Sequence, residues 1–130
     1  MQVVLTDKES EDYFYNALCN AVATGYMAGY GLRLDFEDAD YAAARKTLKD
    51  KGDDPCMEDV WMQILRDGKK LTFTDFENGE MTRSVTLEDV HKKVGLTPIN
   101  HLTDMIKEND DAETADAILQ TVFFDSIVFG

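Results

Sequence analysis

Residues 71–86 carry the pattern of a β-hairpin. Apolar and polar residues alternate from Leu71 to Phe76, Met81 to Thr86 continues as a return strand, and Asn78-Gly79 supplies the positive φ angles of a tight turn. A hairpin by itself is marginally stable in water, so it must pack against helices or gain further strands. The sequence therefore predicts a small antiparallel sheet in contact with helices.

Two other short segments, Val3–Leu5 and Leu32–Phe36, are candidates for additional strands. Between them a long helix is predicted from Asp7 to about Tyr30, with Thr6 or Asp7 as its N-cap. Apolar residues recur at helical spacing along this helix and mark a buried stripe. They are Phe14, Leu18, Ala21, Val22, Tyr26 and Met27.

Helix caps and helix breakers divide the rest of the chain. A second helix follows the acidic residues at 37–40 and ends at Gly52, and a third has Asp54 as its cap, Pro55 as its first residue and Gly68 at its end. The remaining predicted helices run from Thr86 to about Val94, from Thr97 to about Glu108, and from Asp110 or Asp111 along an apolar face that reaches Ile127. We therefore predict an α+β fold, in which a single domain over residues 1–130 packs about five or six helices around a small antiparallel sheet.

The chain is strongly acidic, with 26 Asp and Glu residues, 13 Lys and Arg residues and a net charge of −13. Such a field repels nucleic acid and anionic membranes and attracts basic surfaces. We therefore expect a basic partner protein, and neither direct nucleic-acid binding nor membrane binding. No apolar run approaches about 20 residues, and the first residues do not resemble an export signal, so a cytoplasmic location is expected.

Most acidic residues lie in four blocks, Asp7–Asp12, Asp35–Asp40, Asp50–Asp59 and Glu108–Asp116, each at or near a predicted helix start. Helix capping and the helix dipole explain many of these carboxylates, and the remaining excess indicates an electropositive partner. The carboxylates predicted to bind that partner are Asp35, Glu37, Asp38, Asp40, Asp110, Asp111, Glu113 and Asp116.

Tyrosines lie beside these acidic blocks. A tyrosine next to carboxylates suits an Arg-rich partner, so Tyr26, Tyr30 and Tyr41 are added to the predicted binding surface. The alternative for these tyrosines is a place in the core, with the hydroxyl group hydrogen-bonded.

Patterns for catalysis or metal binding are weak. Glu88 with His91, and His101 with Asp104, are i, i+3 pairs on successive helices that together would make a metal site. Such pairs also arise by chance on charged helices. No segment matches a nucleophile elbow or a phosphate-binding loop. We therefore predict no enzyme activity, no catalytic residue, no metal and no cofactor, with a metal-dependent hydrolase as an alternative.

The end of the chain resembles that of small uncharacterised proteins of bacterial viruses and prophages. The residues that carry the resemblance are Asp110 to Gln120, Val122-Phe123-Phe124 and Ile127 to Gly130, together with Glu58-Asp59-Val60-Trp61 to Gly68 and the hairpin start Leu71-Thr72-Phe73. The resemblance implies an accessory protein of a phage or mobile element that acts in the bacterial host cell. It implies no catalytic residues and no cofactor.

A non-enzymatic acidic interaction protein is the function that these features favour. In its most specific form it mimics nucleic acid, so that carboxylates take the places of phosphates and inhibit a basic host protein, in the manner of an anti-CRISPR or anti-restriction protein. One alternative is a phage structural or assembly protein that forms homo-oligomers through its C-terminal helix. The other is the metal-dependent hydrolase.

Overall fold

A computed structural model describes residues 4–109 and 111–130 of the chain. Helices and a three-stranded antiparallel sheet make up this part, so the predicted α+β class is confirmed. The elements are α1 (Asp7–Ala17), β1 (Leu32–Asp35), α2 (Asp38–Asp50), α3 (Met57–Arg66), β2 (Leu71–Asp75), β3 (Arg83–Val85), α4 (Leu87–Lys93), α5 (Ile99–Ile106) and α6 (Ala112–Phe124).

The long first helix predicted to reach Tyr30 is wrong. Thr6 is the N-cap of helix α1, as one of the two predicted candidates, and it forms a capping box in which its hydroxyl accepts from the Glu9 amide at 3.1 Å. Helix α1 ends at Ala17 and continues only as a π-helical turn, Leu18–Val22. Gly25 then adopts a left-handed conformation with φ of +82°, which a right-handed helix cannot contain.

The sheet has the order β1-β2-β3, with Leu34 opposite Phe73 and Leu71 opposite Val85. The predicted hairpin and the strand predicted at 32–36 are therefore confirmed. The predicted strand at 3–5 is not found, because residues 4 and 5 belong to no strand and residue 3 lies outside the described residues.

The hairpin connection is longer than the predicted tight turn. It spans residues 76–82, and the carboxylate of Asp75 organises it by accepting hydrogen bonds from the amides of Glu77, Asn78 and Met81. Gly79 has a φ of +81°, as the Asn-Gly pattern predicts. The turn prediction is therefore only partly correct, because Asn78 does not adopt the positive φ angle expected of it and the Asp75 carboxylate holds a wider loop.

Two predicted helix boundaries need correction. Helix α3 is capped by Cys56 instead of Asp54, because Asp59 accepts from the Cys56 amide at 3.1 Å and the helix begins two residues later than predicted. Helix α6 is capped by Asp111, as predicted, but ends at Phe124 because Asp125 turns left-handed with φ of +68°. Ile127 therefore lies outside the helix and is 44% exposed.

Helix α6 lies at the centre of the core. Its residues from Thr114 to Phe124 are buried, and the ring of Phe123 lies 4.1 Å from that of Phe73 and 6.3 Å from that of Phe14. One aromatic cluster thus joins α6, the sheet and α1. Among the described residues, none of the helices has both the length and the apolar character needed to cross a lipid bilayer.

Candidate functional site

The acidic residues predicted at 35–40 surround the start of α2. Asp35 accepts from Arg33 at 3.0 Å, whereas Glu37 and Asp38 are exposed and Asp40 is half-buried in the first helical turn. Burial favours the neutral form of Asp35, but hydrogen bonds from Arg33 and Thr74 outweigh it and lower the pKa of this carboxyl. Asp35 is therefore held in an internal ion pair, whereas Glu37 and Asp38 at the start of α2 face solvent.

The acidic residues predicted at 110–116 do not form one exposed surface. Asp110 lies outside the described residues, Asp111 caps α6 by accepting from the Thr114 amide at 3.0 Å, and Glu113 is exposed. Asp116 is only 6% exposed, which contradicts its predicted place on the binding surface. Burial raises the pKa of Asp116 above its usual range, although Gln120 and Tyr30 donate hydrogen bonds to it.

The predicted tyrosines mostly pack internally. Tyr30 donates to Asp116 at 2.9 Å and stacks on Phe129 with ring centroids 5.0 Å apart. Tyr41 stacks on Phe36 at 5.0 Å and is half-buried. Tyr26 makes an edge-to-face contact with Tyr30. Of the three predicted tyrosines, Tyr26 is the exposed one. The core alternative therefore describes Tyr30 and Tyr41.

An acidic pocket of about 490 Å³ lies between α1 and α3, and sequence reasoning missed it as a site. Its charged lining comprises Asp12, Asp53, Asp54, Asp59 and Arg66. The four carboxylates come from the first and third acidic blocks of the sequence, which are separated by about forty positions. The fold therefore brings two of the four acidic blocks together, and neither was among the residues predicted to bind a partner.

The inner wall of the acidic pocket is held in place by Asp59. One of its oxygens accepts from the Tyr15 hydroxyl at 2.8 Å and the other from the Cys56 amide at 3.1 Å. Burial favours the neutral acid, but these hydrogen bonds outweigh it and lower the pKa of Asp59. Asp59 is thus a fixed, ionised carboxylate.

The single guanidinium of the pocket is already paired. Arg66 donates to Glu11 at 2.9 Å, and the second oxygen of Glu11 lies 2.9 Å from His91 of α4. Burial favours the neutral form of Glu11, yet the hydrogen bonds from His91 and Arg66 outweigh it and lower the pKa of this carboxyl. The pairing ties α1, α3 and α4 together and leaves the pocket with an excess of negative charge.

Replacement of Glu11 by glutamine is expected to lower the free energy of unfolding by about 1–2 kcal/mol at neutral pH, because His91 and Arg66 lose a charged acceptor. The folded-state pKa of Glu11 is lowered, so its stabilising contribution is present above the unfolded pKa and is lost as pH falls through the folded pKa. Urea unfolding should be measured in steps from about pH 7 to about pH 3. The free energies of unfolding of the wild type and of Glu11→Gln should converge as the pH falls.

The matched control for Glu11 is Glu88→Gln. Glu88 pairs with Lys92 at 2.7 Å, but both side chains are exposed, so the expected loss is below about 0.5 kcal/mol. Equal losses for the two variants would show that burial does not strengthen the Glu11 network.

An apolar groove of about 670 Å³ lies on the other side of α3. Its lining is mostly apolar and includes one charged residue, Arg33 of β1. The other lining residues are Val22, Ala23, Gly25, Met27, Ala28, Leu32, Leu34, Met57, Trp61, Phe73 and Phe76. Met57 is 53% exposed and Phe76 is 52% exposed, so large apolar side chains border its opening. Trp61 Nε1 is buried and finds no hydrogen-bond acceptor among the described residues.

One of the two pairs considered for a metal site, Glu88 with His91, makes other contacts. His91 binds Glu11 and lies 3.7 Å from Asp7, while Glu88 pairs with Lys92 at 2.7 Å. Within residues 4–109 and 111–130, no three His, Cys, Asp or Glu side chains are grouped so as to hold a metal ion.

Comparison with protein-family models, with curated proteins and with solved structures produced no significant match to this chain. The acidic pocket and the apolar groove are the surface features that bear on its function.

Proposed function

We propose that this chain is a non-enzymatic interaction protein that uses its acidic pocket to bind a basic, nucleic-acid-binding protein of a bacterial host cell. The observation that carries the proposal is the convergence of Asp12, Asp53 and Asp54 with Asp59 around one depression. A cleft built to bind phosphates by releasing their counterions also binds a folded array of carboxylates. Inhibition by mimicry of nucleic acid is the form of activity that this arrangement favours.

Asp12 pairs with Lys8 at 2.8 Å, but the state of the other pocket carboxylates supports this proposal. Asp53 and Asp54 are exposed, and no ion pair is recorded for them within the described part of the chain. Asp59 is fixed by Tyr15 and Cys56, so part of the binding surface is already ordered before a partner arrives. Preorganised groups lose less conformational entropy on binding, which favours affinity.

The two alternatives receive less support. Homo-oligomerisation through the C-terminal helix needs an exposed apolar face, but α6 is buried from Thr114 to Phe124. The hydrolase alternative needs Glu88, His91, His101 and Asp104 to act together, but His91 and Glu88 are engaged by other side chains. The interaction protein therefore remains the preferred proposal.

The triple replacement Asp12→Asn, Asp53→Asn and Asp54→Asn tests the proposal. The tagged protein is used to capture basic proteins from nuclease-treated bacterial lysate, and each purified partner is titrated with labelled DNA in the presence of the protein. We expect the wild type to displace DNA from the partner. The triple variant should bind the partner about tenfold more weakly, because it lacks three of the negative charges that face the partner. Binding should weaken between about 50 and 200 mM salt.

The control replaces three exposed acids that do not line the pocket, in the variant Glu80→Gln, Asp104→Asn and Glu108→Gln. It changes the net charge by the same amount and should keep most of the affinity. If both triple variants lose affinity equally, net charge alone accounts for binding and the pocket has no special role. A partner that is retained unchanged at high salt would contradict the electrostatic proposal.

A further inference from the structure

The two cysteines of the chain lie far apart in the sequence, but the fold places both beside one tyrosine hydroxyl. The Tyr15 hydroxyl lies 3.7 Å from Sγ of Cys56 at the start of α3. Cys19 follows Tyr15 by four positions in the helical run that α1 and the π-helical turn form together, so the two side chains share a helix face. Tyr15 therefore connects the face of α1 that carries Cys19 with the start of α3.

The pKa values of Cys19 and Tyr15 agree with this placement. Burial is the main reason that the pKa of the Cys19 thiol is raised, whereas a hydrogen bond with the Tyr15 hydroxyl partly lowers it. The negative charges of Glu58 and of an ionised Cys56 raise it further. The pKa of Tyr15 is raised in turn, first by its hydrogen bond with Cys56 and then by that with Asp59. The two thiols and the tyrosine hydroxyl therefore form one cluster of interacting groups.

The two thiols differ in their access to solvent. Both are free, but Cys56 is exposed and Cys19 is half-buried. A small oxidant in solution therefore reaches Cys56 first. An exposed thiol beside a second thiol that is able to attack it is the arrangement of a reversible dithiol–disulfide pair.

Cys56 and Tyr15 also hold the wall of the acidic pocket. Sγ of Cys56 accepts from the Asp59 amide and caps α3, while the Cys56 amide donates to the Asp59 carboxylate at 3.1 Å. The Tyr15 hydroxyl donates to the same carboxylate at 2.8 Å. A covalent change at Cys56 therefore acts directly on the groups that fix Asp59.

We propose that Cys19 and Cys56 are a redox site, in which a low-molecular-weight disulfide such as oxidised glutathione converts the two thiols into an intramolecular disulfide. The new bond draws Sγ of Cys56 toward Cys19 and away from the Asp59 amide, so the wall of the acidic pocket loses part of its support. The disulfide stands on the positions of the two thiols around Tyr15, whereas its effect on partner binding rests on the proposed function. Oxidation weakens the binding of a basic partner.

The oxidation consists of two thiol–disulfide exchanges. In the first, the Cys56 thiolate attacks one sulfur atom of oxidised glutathione, a new S–S bond forms, and one glutathione thiolate leaves. In the second, the Cys19 thiolate attacks the sulfur of Cys56, and the other glutathione thiolate leaves. The two protons that the cysteines release are taken up by the two departing thiolates. Two protein thiols are thus oxidised by two electrons in total, and one glutathione disulfide is reduced to two glutathione molecules.

The test measures the equilibrium between the dithiol and the disulfide in glutathione buffers of stepped composition, with the intact chain either folded or unfolded in urea. Samples are quenched with N-ethylmaleimide, and mass spectrometry separates the dithiol, the intramolecular disulfide and the mixed disulfide with glutathione. The equilibrium constant for the intramolecular disulfide should be at least about tenfold larger in the folded protein, because folding holds the two thiols together. An equal or smaller constant in the folded protein, or a mixed disulfide as the final product, would overturn the proposal.

Binding of a fluorescent oligoarginine peptide measures the effect on the acidic pocket. The reduced protein should bind this peptide about threefold more tightly than the oxidised protein, because oxidation removes contacts that hold Asp59 in place. The matched control is Cys56→Ser, since serine is a good helix cap but forms no disulfide. The affinity of this variant for the peptide should stay the same when oxidised glutathione is added.

The two measurements distinguish a failure of this inference from a failure of the proposed function. If the disulfide forms but the oxidised and reduced proteins bind the peptide equally well, the disulfide does not regulate the pocket and that part of the inference is wrong. If oxidised glutathione weakens peptide binding of Cys56→Ser as much as that of the wild type, the effect does not arise from the bond between Cys19 and Cys56. If neither form binds the peptide while the disulfide still forms, the proposed function is contradicted and the redox site stands.

Discussion

Phe123→Ala is expected to lower the free energy of unfolding by about 3–5 kcal/mol, the largest effect of any substitution considered for this protein. Phe123 is buried, and its ring lies 4.1 Å from Phe73 and 6.3 Å from Phe14. Truncation would leave a cavity where α1, α6 and the sheet meet. Because small domains are stable by only about 5–15 kcal/mol, the variant should unfold at a clearly lower urea concentration.

The matched control for Phe123 is Phe76→Ala, the same chemical change at a side chain that is 52% exposed. This variant should lose less than about 1 kcal/mol, because little apolar surface is returned to water. Urea unfolding followed by circular dichroism measures both variants. Similar losses at the two positions would show that the Phe14, Phe73 and Phe123 cluster is not the centre of the core.

Gln120→Leu is expected to cost about 2–4 kcal/mol, since several buried polar groups would lose their partners together. Gln120 is fully buried, and its carbonyl oxygen accepts from the amides of Val128 and Phe129 at 2.7 and 2.8 Å. Its amide group donates to Asp116 at 2.8 Å. Leucine fills similar space but offers no donor or acceptor, so the end of the chain should also become open to carboxypeptidase digestion.

The control for Gln120 is Gln63→Leu in α3. Gln63 is also buried, but its recorded side-chain hydrogen bond is a single contact with Asp67 at 2.8 Å. Its replacement should cost about 1 kcal/mol or less and should leave the digestion rate of the chain end unchanged. If both variants unfold alike and resist carboxypeptidase alike, Gln120 does not anchor the C-terminal residues.

The hydrogen bond from Gln120 is also part of the reason that Asp116 differs from the other acids of its block. The carboxyl group lies under the C-terminal residues and receives hydrogen bonds from Tyr30 and Gln120. A contact between residues 30 and 116 cannot be inferred from helical spacing, because it depends on how α6 docks beside the turn that precedes β1. The sequence pattern around Asp116 suits an exposed helix start equally well, and this is why its burial was not predicted.

Features that depend on residues close together in the chain were predictable from sequence. The capping box at Thr86, the Asp111 cap and the hairpin at 71–86 each arise from hydrogen bonds or alternation within a few residues, so their signals are local. The α+β class followed from these elements, because a hairpin must gain further strands or pack against helices, and most of the remaining sequence is helical in pattern. One failure was local too, at Gly25, where a left-handed residue interrupts an apolar stripe of helical spacing.

The strong negative charge and the identity of most helices and strands were determined by the sequence alone, since composition and short-range hydrogen bonding are written in it. Only the tertiary structure decided where that charge acts. It brought Asp12 beside Asp53 and Asp54, and it buried Asp116. The physical reason is that contacts between distant residues depend on the packing of whole helices against the sheet, which no local pattern specifies.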